Sequence, residues 1–563
     1  MPNQRLMLDY VYEHEAAQPD KVYLTQPVAD AGGSRTIDYS WARTLDEARR
    51  MAAHLRSLQL PAGARIAILS KNCAHFIMAE LAIWMAGGTT VSIFPTETAE
   101  TVRFVLQHSE ASLLFVGKLD TWAQQAAGVP AGLPCIALPL APAGTGFDTW
   151  DDIIARTAPL TGRPQRAGSE LAMLIYTSGS TGEPKGAMHS FERITRATEL
   201  SVDFVKTLVP DLPEQRVLSY LPLAHVYERA VVECSSLVYG HTHVFFAESL
   251  DTFVQDLQRA RPTVFCSVPR LWLKFQQGVF SKMPARKLDR LLSIPILGNV
   301  VRRKVLKGLG LDQVRVAMSA SAPIPAELIR WYRRLGLNLL EGYGMTEDFA
   351  YSHASTLALN APGYVGVPMP GVDVKLSEEG EILVKSPGQL LGYYKRPDLD
   401  AQCFTADGYF RTGDKGERRP DGLLKLTGRV KELFKTAKGK YVAPAPIENR
   451  INAHPMVEIT LVSGVGQSAA FALVVLAEDL RPRLTEAALR AEVEQQMAAL
   501  LQSVNAQSAD YEQLQMLVLS TRPWTIENGC LTPTMKIKRS RIEAEVAARV
   551  EGWYAAGARV VWA

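Results

Sequence analysis

Between residues 171 and 186 the chain reads LAMLIYTSGSTGEPKG. An apolar run, 171 to 175, delivers the backbone into a segment of glycine, serine and threonine: Thr177, Ser178, Gly179, Ser180, Thr181 and Gly182, closed by Pro184, Lys185 and Gly186. Glycines allow a tight turn with N–H groups pointing inward, hydroxyls add donors and one lysine adds charge, so such a loop suits phosphate oxygens. The Gly-to-Lys spacing is not that of a Walker loop, and no Ser or Thr follows the lysine. Further along, EGYGMTE (341–347) places an aromatic ring able to stack on a purine, Tyr343, and Gly344 just before a hydroxyl and a carboxylate, Thr346 and Glu347. Magnesium takes hard oxygen ligands of that kind, although a Thr-Glu pair alone is more often a helix cap. GYFRTGD (408–414) sets Asp414 behind a Thr-Gly turn, where a carboxylate can accept from both hydroxyls of a ribose.

These blocks resemble the adenylate-forming superfamily of acyl-CoA synthetases, adenylation domains and luciferases. The resemblance continues in order through LPLAHVYER (221–229), SASAP (319–323), GRVKELFKTAKGKYVAP (428–444) and LTPTMKIKR (531–539). It implies a two-step reaction in which a carboxylic acid and ATP give an acyl adenylate and the acyl group then passes to coenzyme A. By the same resemblance Glu347 holds Mg2+ and Thr346 touches phosphate, while Ser321, Ala322 and Pro323 flank the adenine. Asp414 binds the ribose and Arg429 the nucleotide. His225 lies beside the carboxylate site, Lys431 is the hinge, and Lys438, Gly439 and Lys440 belong to the thiolation loop that meets coenzyme A. Lys536 matches the catalytic lysine. Many members carry Ser-Gly before that lysine and this chain does not, so Lys538 remains the alternative.

No aspartate occurs between Arg216 and Glu248 to anchor a substrate ammonium, and Glu228, next to Arg229, reads as already paired. An unpaired buried charge is costly, so an apolar acid is favoured over an amino acid. The thiolation loop has one residue more than in many aryl-CoA ligases, a length similar to the long-chain acyl-CoA synthetase branch. The expected substrate is a medium- or long-chain fatty acid in an apolar tunnel lined partly from 225–270. An acyl-AMP ligase loading a carrier protein, an aryl-CoA ligase and a nucleotide-binding protein without catalysis are the other readings.

The elements needed to position these residues are legible in outline. Short apolar runs at 65–69, 89–94 and 112–116 alternate with helical periodicity at 45–55, 74–85 and 99–108, the pattern of a layered α/β body with buried parallel strands. Near 375 the texture turns to short strands and Gly/Asp/Pro turns, a β-rich subdomain. After Arg429 comes what reads as a small mobile α+β domain, with strands in MVEITLV and AAFALVVL and a helix from 486 to 501. The expected division is 1–429 and 430–563. At 563 residues and a net charge of +3, with 61 basic and 58 acidic residues, the chain is a globular protein with no expected nucleic-acid partner. Its six cysteines are dispersed and show no zinc spacing. The N-terminus lacks a signal-peptide pattern and no run of about 18 apolar residues occurs, so the cytoplasm is the default and any membrane contact would be peripheral.

Overall fold

The computed structural model describes residues 5–30, 33–178, 183–532 and 535–563. At its centre is a seven-stranded sheet in the order Asp148–Thr149, Cys135–Ala137, Leu113–Val116, Arg65–Leu69, Thr89–Ile93, Leu171–Ser178 and Pro184–Ser190. All neighbours are parallel except the last pair. The inner strands are buried along almost their whole length, as expected of a parallel sheet covered on both faces. One cover is the helix Ala74–Ala86, buried from Ala74 to Met85 and apolar apart from His75 and Glu80, which stops at Gly87 with φ 94°.

Two further sheets flank this one. Val264–Ser267, Val316–Ser319 and Leu339–Tyr343 run parallel, followed by the short antiparallel strands His353–Ala354 and Val367–Pro368. Gln215–Ser219, Thr242–Phe246, Val22–Asp30 and Gly33–Ser40 form the other. The region read as β-rich is an antiparallel sheet of Asp373–Leu376, Glu381–Lys385, Phe410–Arg418 and Leu424–Arg429.

The C-terminal sheet, Val457–Ser463, Ala470–Leu476, Leu514–Ser520 and Val560–Trp562, has its own two cores. The helix Ala487–Ala506 packs Leu489, Val493, Met497 and Leu501 on one face, and Arg539–Ala556 packs Ile542, Val546 and Trp553 on the other. The first of these helices runs five residues beyond the expected end at 501, because Val504 continues its buried stripe. The fold is thus the layered α/β body with a β-rich subdomain and a small C-terminal α+β unit that the sequence implies.

Candidate active site

A cleft of about 2140 Å³ opens where the parallel sheets, the antiparallel sheet and the C-terminal unit meet. Its nucleotide-sized wall begins with the hairpin of Leu171–Ser178 and Pro184–Ser190, in which Thr177 stands opposite Lys185 and both line the cleft. Gly179, Ser180, Thr181 and Gly182 at the tip lie outside the described residues, and so does the side chain of Ser178. The returning strand is fastened by the segment 390–394: the N–H of Leu391 donates to Met188, that of Met188 to Gly392 and that of Tyr394 to Gly186. This segment brings in a side chain that sequence reasoning missed. The Tyr393 hydroxyl donates to Glu347 Oε1 at 2.6 Å, and the Lys185 ammonium lies 5.6 Å from the Tyr393 ring centre. Two adjacent tyrosines after a glycine were the sole signal.

Glu347 sits in the short turn Thr346–Asp348. Its neighbour Asp348 is buried and accepts the Met345 N–H at 2.8 Å. Burial pushes the Asp348 carboxyl up to about 8, and the charge of Glu347 adds to the effect. Asp348 is therefore neutral at pH 7, and Glu347 Oε2 is free of protein donors among the described residues. No three His, Cys, Asp or Glu side chains converge as a ready metal cage among those residues. A single carboxylate beside phosphate and water oxygens is how Mg2+ is usually held, so the donor set at Glu347 and Thr346 fits that ion.

Asp414 and Arg429 face each other in the antiparallel register of Phe410–Arg418 and Leu424–Arg429. Arg429 Nε donates to Asp414 Oδ1 at 2.8 Å, and the Tyr343 hydroxyl donates to Oδ2 at 2.8 Å. Each carboxylate oxygen retains a second lone pair, so the site can accept a diol without losing either donor. Ser321, Ala322 and Pro323 line the same wall, with Ser321 held at φ 70°, a left-handed conformation that turns the strand end Val316–Ser319 sharply across the cleft.

The other arm of the cleft is apolar, bounded by Val202, Val205, Tyr227, Val231, Val264 and Met318. His225 stands at its mouth, half-buried, as the N-cap of the short helix Val226–Glu228. Its Nδ1 accepts the Tyr227 N–H at 3.2 Å, which assigns the proton to Nε2. Desolvation, with help from the Lys536 charge, pushes the imidazole down to about 3, leaving a neutral N–H donor at any ordinary pH. The expected pairing of Glu228 with Arg229 is wrong. Glu228 Oε1 accepts from Ser219, the Tyr220 N–H and Asn72, and burial pushes its carboxyl up to about 8. Arg229 points to the opposite side and pairs with Glu80 and Glu233, all three fully buried. Consecutive residues on a helix project about 100° apart, so adjacency in sequence did not mean contact.

The C-terminal unit closes the cleft. Lys536 is exposed on the cleft wall. Desolvation by the surrounding protein lowers its ammonium, as does Arg429, against the opposing pull of Asp414, Glu347 and Glu432. Lys538 instead lies near Glu97, whose carboxyl is raised by burial and eased by that lysine. Lys536 thus shares the cleft with Glu347, Asp414, Arg429 and His225, and Lys538 lines the same cleft nearer Glu97. Lys431 is exposed in the turn Val430–Glu432 at the cleft's edge. Lys438, Gly439 and Lys440 form the exposed tip of the hairpin Phe434–Lys435 and Tyr441–Val442, folded against the 464–467 turn and not lining the cleft. Across the junction Arg270 pairs with Glu458 at 2.5 Å, and Gln277 donates to the Pro455 carbonyl.

Fold and cleft together define a nucleotide-dependent enzyme of two unequal parts, and sequence comparison agrees. Residues 11–394 match the AMP-binding enzyme family and 432–558 the AMP-binding enzyme C-terminal domain: the chain belongs to this family. It is 31% identical to the long-chain-fatty-acid–CoA ligase FadD15 of Mycobacterium bovis, across 97% of this chain and 96% of that one. It is 29% identical to long-chain-fatty-acid–CoA ligase 1 of Homo sapiens, across 87% and 78%. In fold it is similar to the adenylation domain of a carboxylate reductase from Mycobacterium chelonae, with a TM-score of 0.81, 23% identity and coverage of 99% and 92%.

Proposed function

We propose that the protein is an acid–thiol ligase that activates a medium- or long-chain fatty acid with ATP and transfers the acyl group to coenzyme A. The observation that carries this reading is the continuity of one cleft: a polar end with Glu347, Asp414 and Arg429, an apolar arm, and Lys536 with His225 at the junction. The relatives named as long-chain-fatty-acid–CoA ligases support the same substrate class.

In the first half-reaction a carboxylate oxygen of the acid attacks the α-phosphorus of ATP, the bond to the bridging oxygen breaks and pyrophosphate leaves. Asp414 and Arg429 fix the ribose, the hairpin of Thr177 and Lys185 faces the phosphates, and His225 Nε2–H orients the carboxylate. Lys536 offsets the negative charge that gathers as pyrophosphate departs. Magnesium, when bound at Glu347 beside Thr346, neutralises phosphate charge. In the second, a coenzyme A thiolate attacks the acyl carbon and AMP leaves. An arrangement with Lys536 on the cleft wall and the 438–440 tip outside it suits the first step. We place the division at 429/430, so that rotation about Lys431 exchanges Lys536 for that tip. Among the described residues no aspartate lines the apolar arm where an amino acid's ammonium would need one.

The test is pyrophosphate release across aliphatic acids of increasing length, benzoate, coumarate and amino acids, with and without coenzyme A. Turnover should peak with a medium or long aliphatic acid and depend on coenzyme A. A clear preference for benzoate or an amino acid, or indifference to coenzyme A, would overturn the reading.

A further inference from the structure

The helices Ala285–Leu292 and Leu297–Leu309 form a hairpin whose inner residues Leu288, Leu292, Val301, Val305, Leu306 and Leu309 pack into the cluster around Trp331 and Tyr332. Its connecting tip does the reverse. Ile296 is 82% exposed, Val300 57%, Ile294 43% and Leu297 42%, and Ile296 is held at φ 65°, where a β-branched residue is strained. An apolar tip of four residues in water is not part of the core and needs another explanation.

The charge around it supplies one. Between 282 and 307 stand eight basic residues and one acid, Asp289, in a chain whose net charge is only +3. Asp289 is engaged by Arg334, and Arg302 is spent on the carbonyls of Arg334 and Leu292 and on Asn299. Lys282, Arg286, Lys287, Arg290, Arg303, Lys304 and Lys307 are exposed and have no acidic partner among the described residues. Val300, Arg303, Lys304 and Lys307 follow i, i+3, i+4, i+7 spacing and so share one helix face leading away from the tip. Apolar side chains at a rim of unpaired cations are the composition that binds a bilayer interface. A nucleic acid would satisfy the cations and leave Ile296 and Val300 in water.

We propose that this hairpin docks the enzyme on anionic lipid bilayers, with Ile294, Ile296, Leu297 and Val300 entering the headgroup layer and the surrounding Lys and Arg side chains meeting lipid phosphates. The inference stands whatever acid is activated. It also has a place in the molecule. Arg302 and Asp289 tie the hairpin to the C-terminal end of the helix Ala326–Arg334, whose Ala326, Glu327 and Arg330 border the cleft.

The test is cosedimentation of the full chain with vesicles of phosphatidylcholine alone and of phosphatidylcholine mixed with phosphatidylglycerol. Wild type should pellet with the mixed vesicles alone and be released at about 1 M salt, where screening acts within about 3 Å. Each basic residue near such a surface is worth about five-fold, so R303E/K304E/K307E should weaken binding by roughly 100-fold or more. I296D/V300D should bind weakly and dissociate at lower salt. Thermal melting of each variant checks folding. If wild type stays in the supernatant, if both folded variants pellet like wild type, or if the tip instead mediates a dimer that I296D/V300D dissolves without altering vesicle binding, the proposal is overturned.

Discussion

The two lysines at the end of the chain both line the cleft but stand in different surroundings: Lys536 feels the charges of Arg429, Asp414, Glu347 and Glu432, whereas Lys538 acts on Glu97. Lys536→Ala should cut acyl-adenylate formation by roughly 100 to 1000-fold, the scale for one preorganised charge, and leave conversion of premade adenylate to thioester largely intact. Lys538→Ala should do neither, and pyrophosphate exchange set against thioester formation separates the outcomes. Tyr393→Phe removes the donor on Glu347 Oε1. The loss of one hydrogen bond to a charge, about 1.5 to 3 kcal/mol, should appear as a higher magnesium requirement, smaller than that of Glu347→Ala. Glu228 yields a pH prediction. Its carboxyl is raised to about 8 in the fold, so the folded state holds a proton that the unfolded chain releases above the ordinary glutamate value. Stability from this group is complete below that value and is lost as pH rises towards 8, at most about 1.4 kcal/mol per pH unit. Glu228→Gln keeps an oxygen for Ser219 and Tyr220 and should flatten the melting-temperature profile between pH 5 and 8. Most of the residues that line the cleft were legible in sequence as candidates because each sits in a short block with its own chemistry. Tyr393 and the true partners of Glu228 and Arg229 were not, because they depend on which faces of separate elements meet.

At the scale of elements, apolar runs gave themselves away where burial was complete. Arg65–Leu69 and Ala99–His108 lie where their patterns place them, and the Gly/Ser/Thr run does follow a buried strand. Val22–Asp30 and Gly33–Ser40 carry TQPVAD and GSRTIDYS, whose polar content hides a hairpin joined to the sheet of Thr242–Phe246 by long-range pairing. The late strands Leu514–Ser520 and Val560–Trp562 also escaped notice, the second being three residues long. The turn Val430–Glu432 has the opposite character: short, exposed at Lys431 and placed between two sheets. Lys431→Pro fixes φ there and denies rotation its backbone change. Adenylation should survive and thioester formation should fall at least ten-fold, measured as separate half-reactions with folding checked by circular dichroism.

Among the described residues, Arg270 and Gln277 supply polar ties across the junction. Arg270 on the helix Pro269–Lys282 meets Glu458, which Arg481 also holds from within the C-terminal unit. An ion pair of this exposure contributes about 1 kcal/mol or less, enough to bias two arrangements that lie close in energy. Arg270→Ala should therefore speed protease cleavage near 430 and lower adenylation a few-fold without lowering the melting temperature of either part. The cleft itself has a pharmacological consequence. Among the described residues its polar end and its apolar arm form one continuous space past His225, so a stable mimic that tethers an alkyl tail to a nucleoside would occupy both ends as one ligand. Such a molecule loses translational freedom once where two separate ligands lose it twice, and its potency should exceed the product expected from either half alone.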